Sequence, residues 1–258
     1  MIITTWNVNS LKARQHRVEE FLQDVAPDVL CLQETKMADD AWPAMTFQTL
    51  GYDSAHFGNG RWNGVAILSK VGISDVTVGF GDGIEDPYPD DCRLISATCD
   101  GIRVSSVYVP NGRDISTEFY ERKLAWFDSM QQWLERSAAP SDALAILGDW
   151  NVAPEDRDVW NPARMIGSTH VTEAERSRLA DLRTWGLKDA FRRVNDDDGQ
   201  FTWWDYRGGS FHKGEGLRID LAYVTESVAN RVKDVKMHRD YRKGDKPSDH
   251  APVSVILT

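Results

Sequence analysis

The chain lacks several features that mark particular classes of protein. It has three cysteines, Cys31, Cys92 and Cys99, with no CxxC spacing and no neighbouring histidine, which argues against a disulfide framework or a zinc site. We expect all three to be small core residues in a reducing compartment. No run approaches the ~20 apolar residues that a membrane-spanning helix needs, and the first residues show no leader pattern. We therefore predict a cytoplasmic protein with no membrane partner.

Acidic residues outnumber basic ones, 40 to 30. The formal net charge is −10, which argues against a protein that holds nucleic acid by bulk attraction. The cations are nevertheless concentrated at 12–17 and at 231–246, the second segment standing just before Ser248-Asp249-His250. For the first cluster, which lies on an amphipathic helical pattern, a solvated face is the expected role.

A linker is missing as well. A chain of 258 residues with 41% hydrophobic content can form one large α/β unit or two small domains. No Gly/Ser-rich or Pro-rich stretch divides it, and the polar site candidates run from Asn7 to His250. We therefore predict a single catalytic domain over residues 1–258.

The most informative stretch is Ala143 to Asn151, where an apolar run closes at Gly148 and is followed by Asp149-Trp150-Asn151. Such a run predicts a strand covered on both faces, although a buried helix segment fits a short apolar run too. The two-residue period of a strand places Asp149 and Asn151 on one side and Trp150 on the other. Taken alone, an acid and an amide here also fit an ordinary strand-end turn.

Other strand-like runs end in the same way, which favours a site over a turn. Ile2 to Asn7 ends in an amide and Asp28 to Glu34 in an acid, while two further acids stand beside the strands near the C-terminus. We predict that one edge of the sheets gathers the polar side chains of these runs, namely Asn7, Glu34, Asp149, Asn151, Asp220, Asp249 and His250.

Two groups of strands, with helices between and outside them, organise the rest of the chain. Leu11 to Asp24 predicts an amphipathic helix capped by Ser10, and Thr117 to Ser137 predicts the longest helix. Asp100-Gly101 predicts a tight hairpin turn. We predict a four-layer α/β sandwich, in which two mixed β-sheets pack face to face and helices cover the outer faces.

The predicted edge is rich in oxygen ligands. Glu34 among amides and acids favours a hard cation, Mg²⁺ or Mn²⁺, over zinc. The pairing of Asp220 with His250 indicates an imidazole whose orientation a carboxylate fixes. Asp149 is then left as a base for water, with Asn151 and Tyr108 as donors to a phosphoryl oxygen. Metal-assisted hydrolysis of a phosphate ester uses all of these roles.

Seven short motifs in order support this reaction class: Trp-Asn-Val-Asn at 6–9, Leu-Gln-Glu-Thr-Lys at 32–36, Gly-Val-Ala-Ile-Leu-Ser at 64–69, Tyr-Val-Pro-Asn-Gly at 108–112, Gly-Asp-Trp-Asn at 148–151, Gly-Leu-Arg-Ile-Asp at 216–220 and Pro-Ser-Asp-His-Ala-Pro-Val at 247–253. With them the chain resembles, over nearly its whole length, the exonuclease III family of bacterial AP endonucleases, in the endonuclease/exonuclease/phosphatase superfamily. Ser10 and Trp150 depart from residues common in that family, and they leave the chemistry intact.

The resemblance implies a Mg²⁺-dependent monomeric enzyme that nicks duplex DNA 5′ to abasic sites and trims blocked 3′ ends. It implies that Glu34 and Asn7 bind the metal, with Asp249 supporting the metal or His250. Trp203 would pack over the flipped sugar of the abasic site. Leu217 and Ile219 would form the pocket wall, and Arg218 would reach the DNA backbone.

Two other functions compete with this interpretation. A phosphatase of the same superfamily acting on lipid or nucleotide headgroups would keep the metal and histidine set but lack DNA-facing aromatics, and the aromatic cluster at 201–207 argues against it. A non-catalytic binding module would be expected to lack at least one of Glu34, Asp149 and His250, and all three are present.

Overall fold

A computed structural model describes residues 1–81 and 83–258 of the protein. Twelve strands form the two sheets, and their bounds are β1 Ile2–Asn7, β2 Val29–Gln33, β3 Asp53–Phe57, β4 Val65–Ser69, β5 Ser74–Val78, β6 Leu94–Cys99, β7 Ile102–Tyr108, β8 Leu144–Asp149, β9 Lys188–Asp189, β10 Asp220–Val224, β11 Val232–Met237 and β12 Val253–Leu257.

Each sheet has six strands and a mixed pattern. The first has the order β11-β12-β1-β2-β4-β3 and the second the order β5-β6-β7-β8-β10-β9. Only the pairs β1–β2 and β7–β8 are parallel among the described strands. The two parallel pairs occupy equivalent places in their sheets, so the polar residues that follow β1 and β8 emerge at comparable positions.

Helices cover the outer faces of both sheets. Their bounds are α1 Leu11–Asp24, α2 Ala44–Thr49, α3 Glu118–Ser137, α4 Pro162–Met165, α5 Glu173–Trp185, α6 Ala190–Val194, α7 Ser210–Lys213 and α8 Glu226–Ala229. Short 3-10 turns occur at Asp39–Ala41, Asp156–Asp158, Arg207–Gly209 and Arg239–Arg242.

Three apolar clusters separate the layers. The cluster between the sheets joins the small and branched side chains of their inner faces, such as Cys31, Ile67 and Val104. A second cluster packs α3 and α5 on one sheet, and a third packs α1 and α2 on the other. The predicted four-layer α/β sandwich is confirmed. All three cysteines are buried and free, as predicted.

Most of the predicted elements are confirmed to within two residues. The helix at Leu11–Asp24 has the predicted bounds, but the capping prediction for Ser10 is wrong, because its side chain makes no cap hydrogen bond. Asp100 and Gly101 both have positive φ, at 48° and 76°, as the predicted hairpin turn requires. Within the described residues, no helix is both long and apolar enough to cross a membrane.

Candidate active site

The predicted polar residues meet at one end of the sandwich, where β1, β2, β7 and β8 finish. Register places Asn7 beside Gln33 in the first sheet, and Asp149 between Tyr108 and Asp220 in the second. The chain turns sharply after these strands, since Glu34 and Asn151 both have a φ of 51°. Strand ends that face each other across the sandwich therefore direct their polar side chains into one place.

Asn7 joins the two sheets at this end. Its Nδ2 donates to Glu34 Oε1 at 2.9 Å and to Asp149 Oδ2 at 3.0 Å, while its Oδ1 accepts from the backbone N–H of Asn9. Both N–H groups of the amide are thus used, and its oxygen is used as well. Asn7 is fully buried, so it acts as a fixed bracket between the two carboxylates.

Asp220, His250 and Asp149 form a buried line. The Nδ1 of His250 lies 2.9 Å from Asp220 Oδ2, and its Nε2 lies 3.7 Å from Asp149 Oδ2. Burial lowers the pKa of His250, but the carboxylates of Asp220 and Asp149 outweigh it and raise the pKa to about 10. The ring is therefore an imidazolium at neutral pH, and its Nε2 proton points towards the site.

The loop that carries His250 is fixed by its neighbours. Ser248 Oγ donates to the carbonyl of Asn7 at 2.6 Å and accepts from the backbone N–H of His250. Trp6 Nε1 donates to the carbonyl of His250. These contacts explain why a serine precedes the Asp-His pair, because a residue without a hydroxyl would leave Asn7 and His250 unpaired here.

The cluster carries excess negative charge. Three carboxylates, Glu34, Asp149 and Asp220, face one imidazolium, and Glu34 is the one of these carboxylates that Lys36 contacts, at 3.0 Å. Burial raises the pKa of Asp149 to about 7, and the charges of Asp220 and Glu34 act in the same direction. The net negative charge of the cluster would therefore favour the binding of a cation.

The same side chains provide donors for that cation. Among the described residues, Glu34, Asp149 and His250 form the one group whose ligand atoms all lie within 4.8 Å of one another. Two carboxylates and amide oxygens nearby suit a hard divalent ion. His250, being protonated, offers no ligand atom, so this group contributes two carboxylates. The metal set of Asn7, Glu34 and Asp249 stays a prediction.

The carboxylate of Asp249 contacts two neighbouring side chains, Asn9 and Trp203. Its Oδ1 accepts from Asn9 Nδ2 at 3.0 Å, and its Oδ2 accepts from Trp203 Nε1 at 3.1 Å. It therefore links the histidine loop to the aromatic segment at 201–207. Asn9, which the sequence did not single out, connects Asp249 to Lys36.

Two amides and a phenol line the opposite side of Asp149. Asn151 donates its backbone N–H to Asp149 Oδ1 and one side-chain N–H to the carbonyl of Val109. Asn111, which sequence reasoning missed as a site residue although it lies in a named motif, donates to Asn151 Oδ1 at 3.2 Å. Burial, with the charge of Glu34, raises the pKa of Tyr108 well above its usual value, so its phenol stays protonated and can donate.

A cavity of about 230 Å³ opens beside this cluster. Trp203 and Leu217 line it as predicted, and its other walls come from Trp160, Met165, His170, Asp205, Ser210 and Glu215. Ile219 is 2% exposed and packs behind this wall, so it supports the cavity without facing it. His170 was missed, because a lone histidine in a loop carries no recognisable sequence signal.

Arg218 does not face DNA, and the prediction that it reaches the backbone is wrong. Its side chain is 1% exposed and forms ion pairs with Asp158 at 2.6 Å and Asp189 at 2.8 Å. Arg192 completes this cluster through a second contact to Asp158. Arg218 lies between Leu217 and Ile219 in the segment just before β10, and its guanidinium is directed to the acids and not to the apolar cluster of its two neighbours.

The two segments rich in cations are less exposed than their sequences suggest. The expected solvated face at 12–17 is wrong for Arg14 and Arg17, which donate to Tyr206 Oη and to the carbonyls of 241 and 243. Residues 231–246 do not form one exposed basic surface, because Val235, His238 and Arg242 are buried. Arg242 donates to backbone carbonyls.

A larger cleft of about 500 Å³ adjoins the cluster on the side of Glu34 and Tyr108. Its walls alternate arginines with aromatic rings: Arg113 lies 3.7 Å from the ring centre of Phe119, and Arg122 lies 3.9 Å from that of Tyr88. The cluster thus sits between two openings of different size and charge.

Comparisons with known proteins identify the family of the chain. Residues 4–250 match the family described as Endonuclease/Exonuclease/phosphatase family. Exodeoxyribonuclease III of Haemophilus influenzae is 34% identical over 98% of both chains. An AP endonuclease from Archaeoglobus fulgidus superposes with a TM-score of 0.95 at 34% identity, covering 100% of this chain and 99% of that one. The 3′ phosphatase NExo from Neisseria, bound to a product DNA hairpin, gives 0.93 at 36% with the same coverage. The chain therefore belongs to the endonuclease/exonuclease/phosphatase family and, within it, to the exonuclease III nucleases of DNA repair.

Proposed function

We propose that the protein cleaves the phosphodiester backbone of duplex DNA 5′ to abasic sites and removes blocked or terminal groups from 3′ ends, using Mg²⁺. The buried acidic cluster with one imidazolium, placed between two openings, is the observation that carries this proposal. The resemblance to enzymes named for AP endonuclease, 3′ phosphatase and exonuclease action supports it. The monomeric state and the cytoplasmic location remain predictions.

Members of this family depend on a metal, and the side chains present fit one. Glu34 and Asp149 would hold a hard divalent cation, and Asn7 would keep both carboxylates in position. When bound, Mg²⁺ supplies charge that offsets the negative charge developing on the scissile phosphate. Mn²⁺ prefers the same oxygen ligands and is expected to substitute.

Asp149 and the residues around it have the remaining catalytic roles in this proposal. Asp149 accepts a proton from the attacking water, and Asn7 and Asn151 fix its two oxygens in place for that role. His250, protonated and oriented by Asp220, donates from Nε2 to a phosphoryl oxygen. Tyr108 and the second side-chain N–H of Asn151 are the donors proposed for the other phosphoryl oxygens.

The size of the 230 Å³ cavity supports a preference for a sugar that carries no base. An abasic nucleotide leaves the stack at the least cost, because no base has to be unstacked. Trp203 would cover the sugar and Leu217 would form the wall, while His170 narrows the space. A nucleotide with its base would be excluded by size from this cavity.

One assay tests the function as a whole. Labelled duplexes that carry a single abasic analogue, a 3′-phosphate end or an intact blunt end are incubated with the protein, with and without Mg²⁺. We expect incision at the abasic analogue and trimming of the 3′ phosphate only with the metal. A protein that cuts none of the three in Mg²⁺ or Mn²⁺ would contradict the proposal.

The role of Trp203 can be separated from a purely structural one. Trp203→Ala is expected to lower incision at the abasic analogue more than it lowers 3′ trimming, with little change in melting temperature. Trp185→Ala, which removes a partly buried indole from the helix layer far from the cavity, is the matched control. Equal loss of both activities together with a large fall in melting temperature would show that Trp203 only fills the core.

A further inference from the structure

Lys123 and Glu175 form an ion pair at the base of the site, and both side chains are completely buried. Lys123 lies on α3 and Glu175 on α5, with Nζ and Oε1 2.5 Å apart. The next residue on α3 is apolar, Leu124. Leu124 is only partly buried and the lysine occupies the interior. A lysine is very rarely buried in this way without a specific partner.

The ammonium of Lys123 converges on the two asparagines beside Asp149. Its Nζ donates to the carbonyl of Asn151 at 2.7 Å and to the carbonyl of Asn111 at 3.2 Å, with Thr169 Oγ1 also at 3.2 Å. The same two asparagines are joined through their side chains. The ammonium of Lys123 therefore fixes the backbone carbonyls of both asparagines.

Glu175 extends the contact to His170 and the cavity wall. Its Oε1 accepts from the backbone N–H of His170 at 3.0 Å, and its Oε2 accepts from the backbone N–H of Thr172 in the capping box that starts α5. The ring Nδ1 of His170 lies 2.6 Å from the carbonyl of Asn151. The ion pair thus ties the start of α5, the cavity and the asparagine pair together.

Gly112 shows how closely the loop is seated on Lys123. The residue has a φ of +83°, and a Cβ there would lie 2.9 Å from Lys123 Cδ and 3.1 Å from Thr169 Oγ1. Only glycine permits both the conformation and the approach. Gly112, the glycine of the Tyr-Val-Pro-Asn-Gly motif, therefore allows the loop that carries Asn111 to pack closely against the side chain of Lys123.

We propose that Lys123 and Glu175 are positioning residues, which fix Asn151 and Asn111 through their backbone carbonyls so that the amide of Asn151, held by Asn111, meets the scissile phosphate in one geometry. Neither Lys123 nor Glu175 touches DNA. This inference rests on the proposed function, which assigns Asn151 to phosphate binding.

The chemistry of the pair supports a role beyond stability. Replacing a buried ion pair by apolar side chains of similar volume is often neutral or stabilising, so burial alone does not call for a lysine and a glutamate here. An apolar pair, however, has no donor for the carbonyls of Asn111 and Asn151. Burial lowers the pKa of Lys123, but Glu175 opposes that effect, which keeps the donor available.

The test compares the double variant Lys123→Met with Glu175→Gln to each single variant, because glutamine keeps an acceptor for the backbone N–H groups of His170 and Thr172. The single variants leave one buried partner without its charge and are expected to melt at lower temperature. The double variant is expected to regain most of the melting temperature while its kcat on the abasic duplex stays roughly 10–100-fold below wild type, with KM within about threefold, because misplacement by about 1 Å is enough for such a loss. Recovery of both stability and kcat would overturn the proposal.

The chain offers a matched control that joins the same two helices. Arg178 on α5 pairs with Asp128 on α3 at 3.0 Å on the surface. Replacing this pair by Arg178→Met with Asp128→Leu removes an ion pair between α3 and α5 without touching the asparagines. We expect its kcat to remain within about twofold of wild type, since exposed pairs contribute little.

A second readout does not depend on catalysis. Amide hydrogen exchange of peptides covering 109–113 and 149–153 is expected to be faster in the double variant than in wild type, and unchanged in the control. Unchanged exchange in both segments would overturn the positioning role even if the proposed DNA cleavage were confirmed. A wild-type protein that cleaves no DNA but shows the faster exchange in the variant would instead contradict the proposed function alone.

Discussion

Two clusters of buried charge lie near the same end of the molecule and differ in one respect. Around Arg218, two arginines face two aspartates, Asp158 and Asp189, so the charges cancel. Around His250, three carboxylates face one imidazolium, and only Lys36 at the rim adds a further positive charge. Both clusters are buried and both are hydrogen-bonded.

Burial of charge by itself therefore does not identify a site in this protein. The Arg218 cluster is complete, because each charged group has an opposite partner, and nothing further can bind there with a gain in electrostatic energy. The His250 cluster is incomplete until a cation arrives and, with it, an anionic substrate. The following experiments test whether that difference in charge balance is also a difference in function.

Chelation is expected to have the largest effect. Excess EDTA should reduce cleavage of the abasic duplex below detection, and Mg²⁺ or Mn²⁺ should restore it, since the acidic cluster needs a cation to bind the phosphate. Mg²⁺ should also raise the melting temperature of wild type and not that of Glu34→Gln, because a ligand that binds the folded state stabilises it. Full activity in EDTA would remove the distinction between the two clusters.

Loss of the imidazolium is the next largest expected effect. His250→Ala should lower turnover by roughly 10²–10⁴-fold with little loss of DNA binding, because the donor acts in the transition state. Asp220→Asn should also be severe, since the ring loses the carboxylate that orients it. His212→Ala, which removes an exposed histidine, is the control. Turnover near that of wild type in His250→Ala would exclude the histidine from catalysis.

The Arg218 cluster, in which positive and negative charges balance, should affect stability and not turnover. Arg218→Met leaves two buried carboxylates short of a partner and is expected to lower the free energy of unfolding by about 3–5 kcal/mol. Turnover of the folded enzyme at low temperature should change little, because Arg218 faces no substrate. Arg193→Met on α6, at an exposed position, should leave stability nearly unchanged. A large loss of turnover without loss of stability would show that this cluster also serves the reaction.

The smallest expected effect comes from a buried histidine without a carboxylate. Burial, with the charge of Lys236, lowers the pKa of His238 to about 4, below its unfolded value of about 6.5. Between these values the unfolded chain binds more protons, so His238 should destabilise the fold as pH falls from about 6.5 to about 4, by at most about 3 kcal/mol. His238→Gln should reduce this acid sensitivity in urea titrations. A pH dependence identical to that of His16→Gln, at an exposed position, would contradict the assignment.

The elements of the fold could be predicted from the sequence because their signals are local. Helical periodicity gave α1 the bounds that the structure shows, and the Asp-Gly dipeptide located the turn between β6 and β7. The edge that gathers Asn7, Glu34 and Asp149 was also predictable, because the polar residues follow strands of like direction.

The side-chain placements that the sequence did not predict depend on contacts between distant segments of the chain. Whether Arg218 faces DNA or Asp158 is decided by a loop some 60 positions earlier in the chain, which no local pattern reports. Lys123 stands where a helical stripe predicts an apolar neighbour, and only the position of Glu175 on another helix explains it. The side-chain direction of Asp249 likewise depends on Asn9 and Trp203.

The pairing of β1 with β12 has a consequence for folding. The strand after His250 docks beside the strand that ends in Asn7, and Ser248 contacts Asn7 across a separation of 241 positions in the chain. Contacts between such distant segments slow folding, because the chain between them loses entropy before the contact stabilises it. The imidazolium therefore joins Glu34 and Asp149 only once the histidine loop has docked against β1.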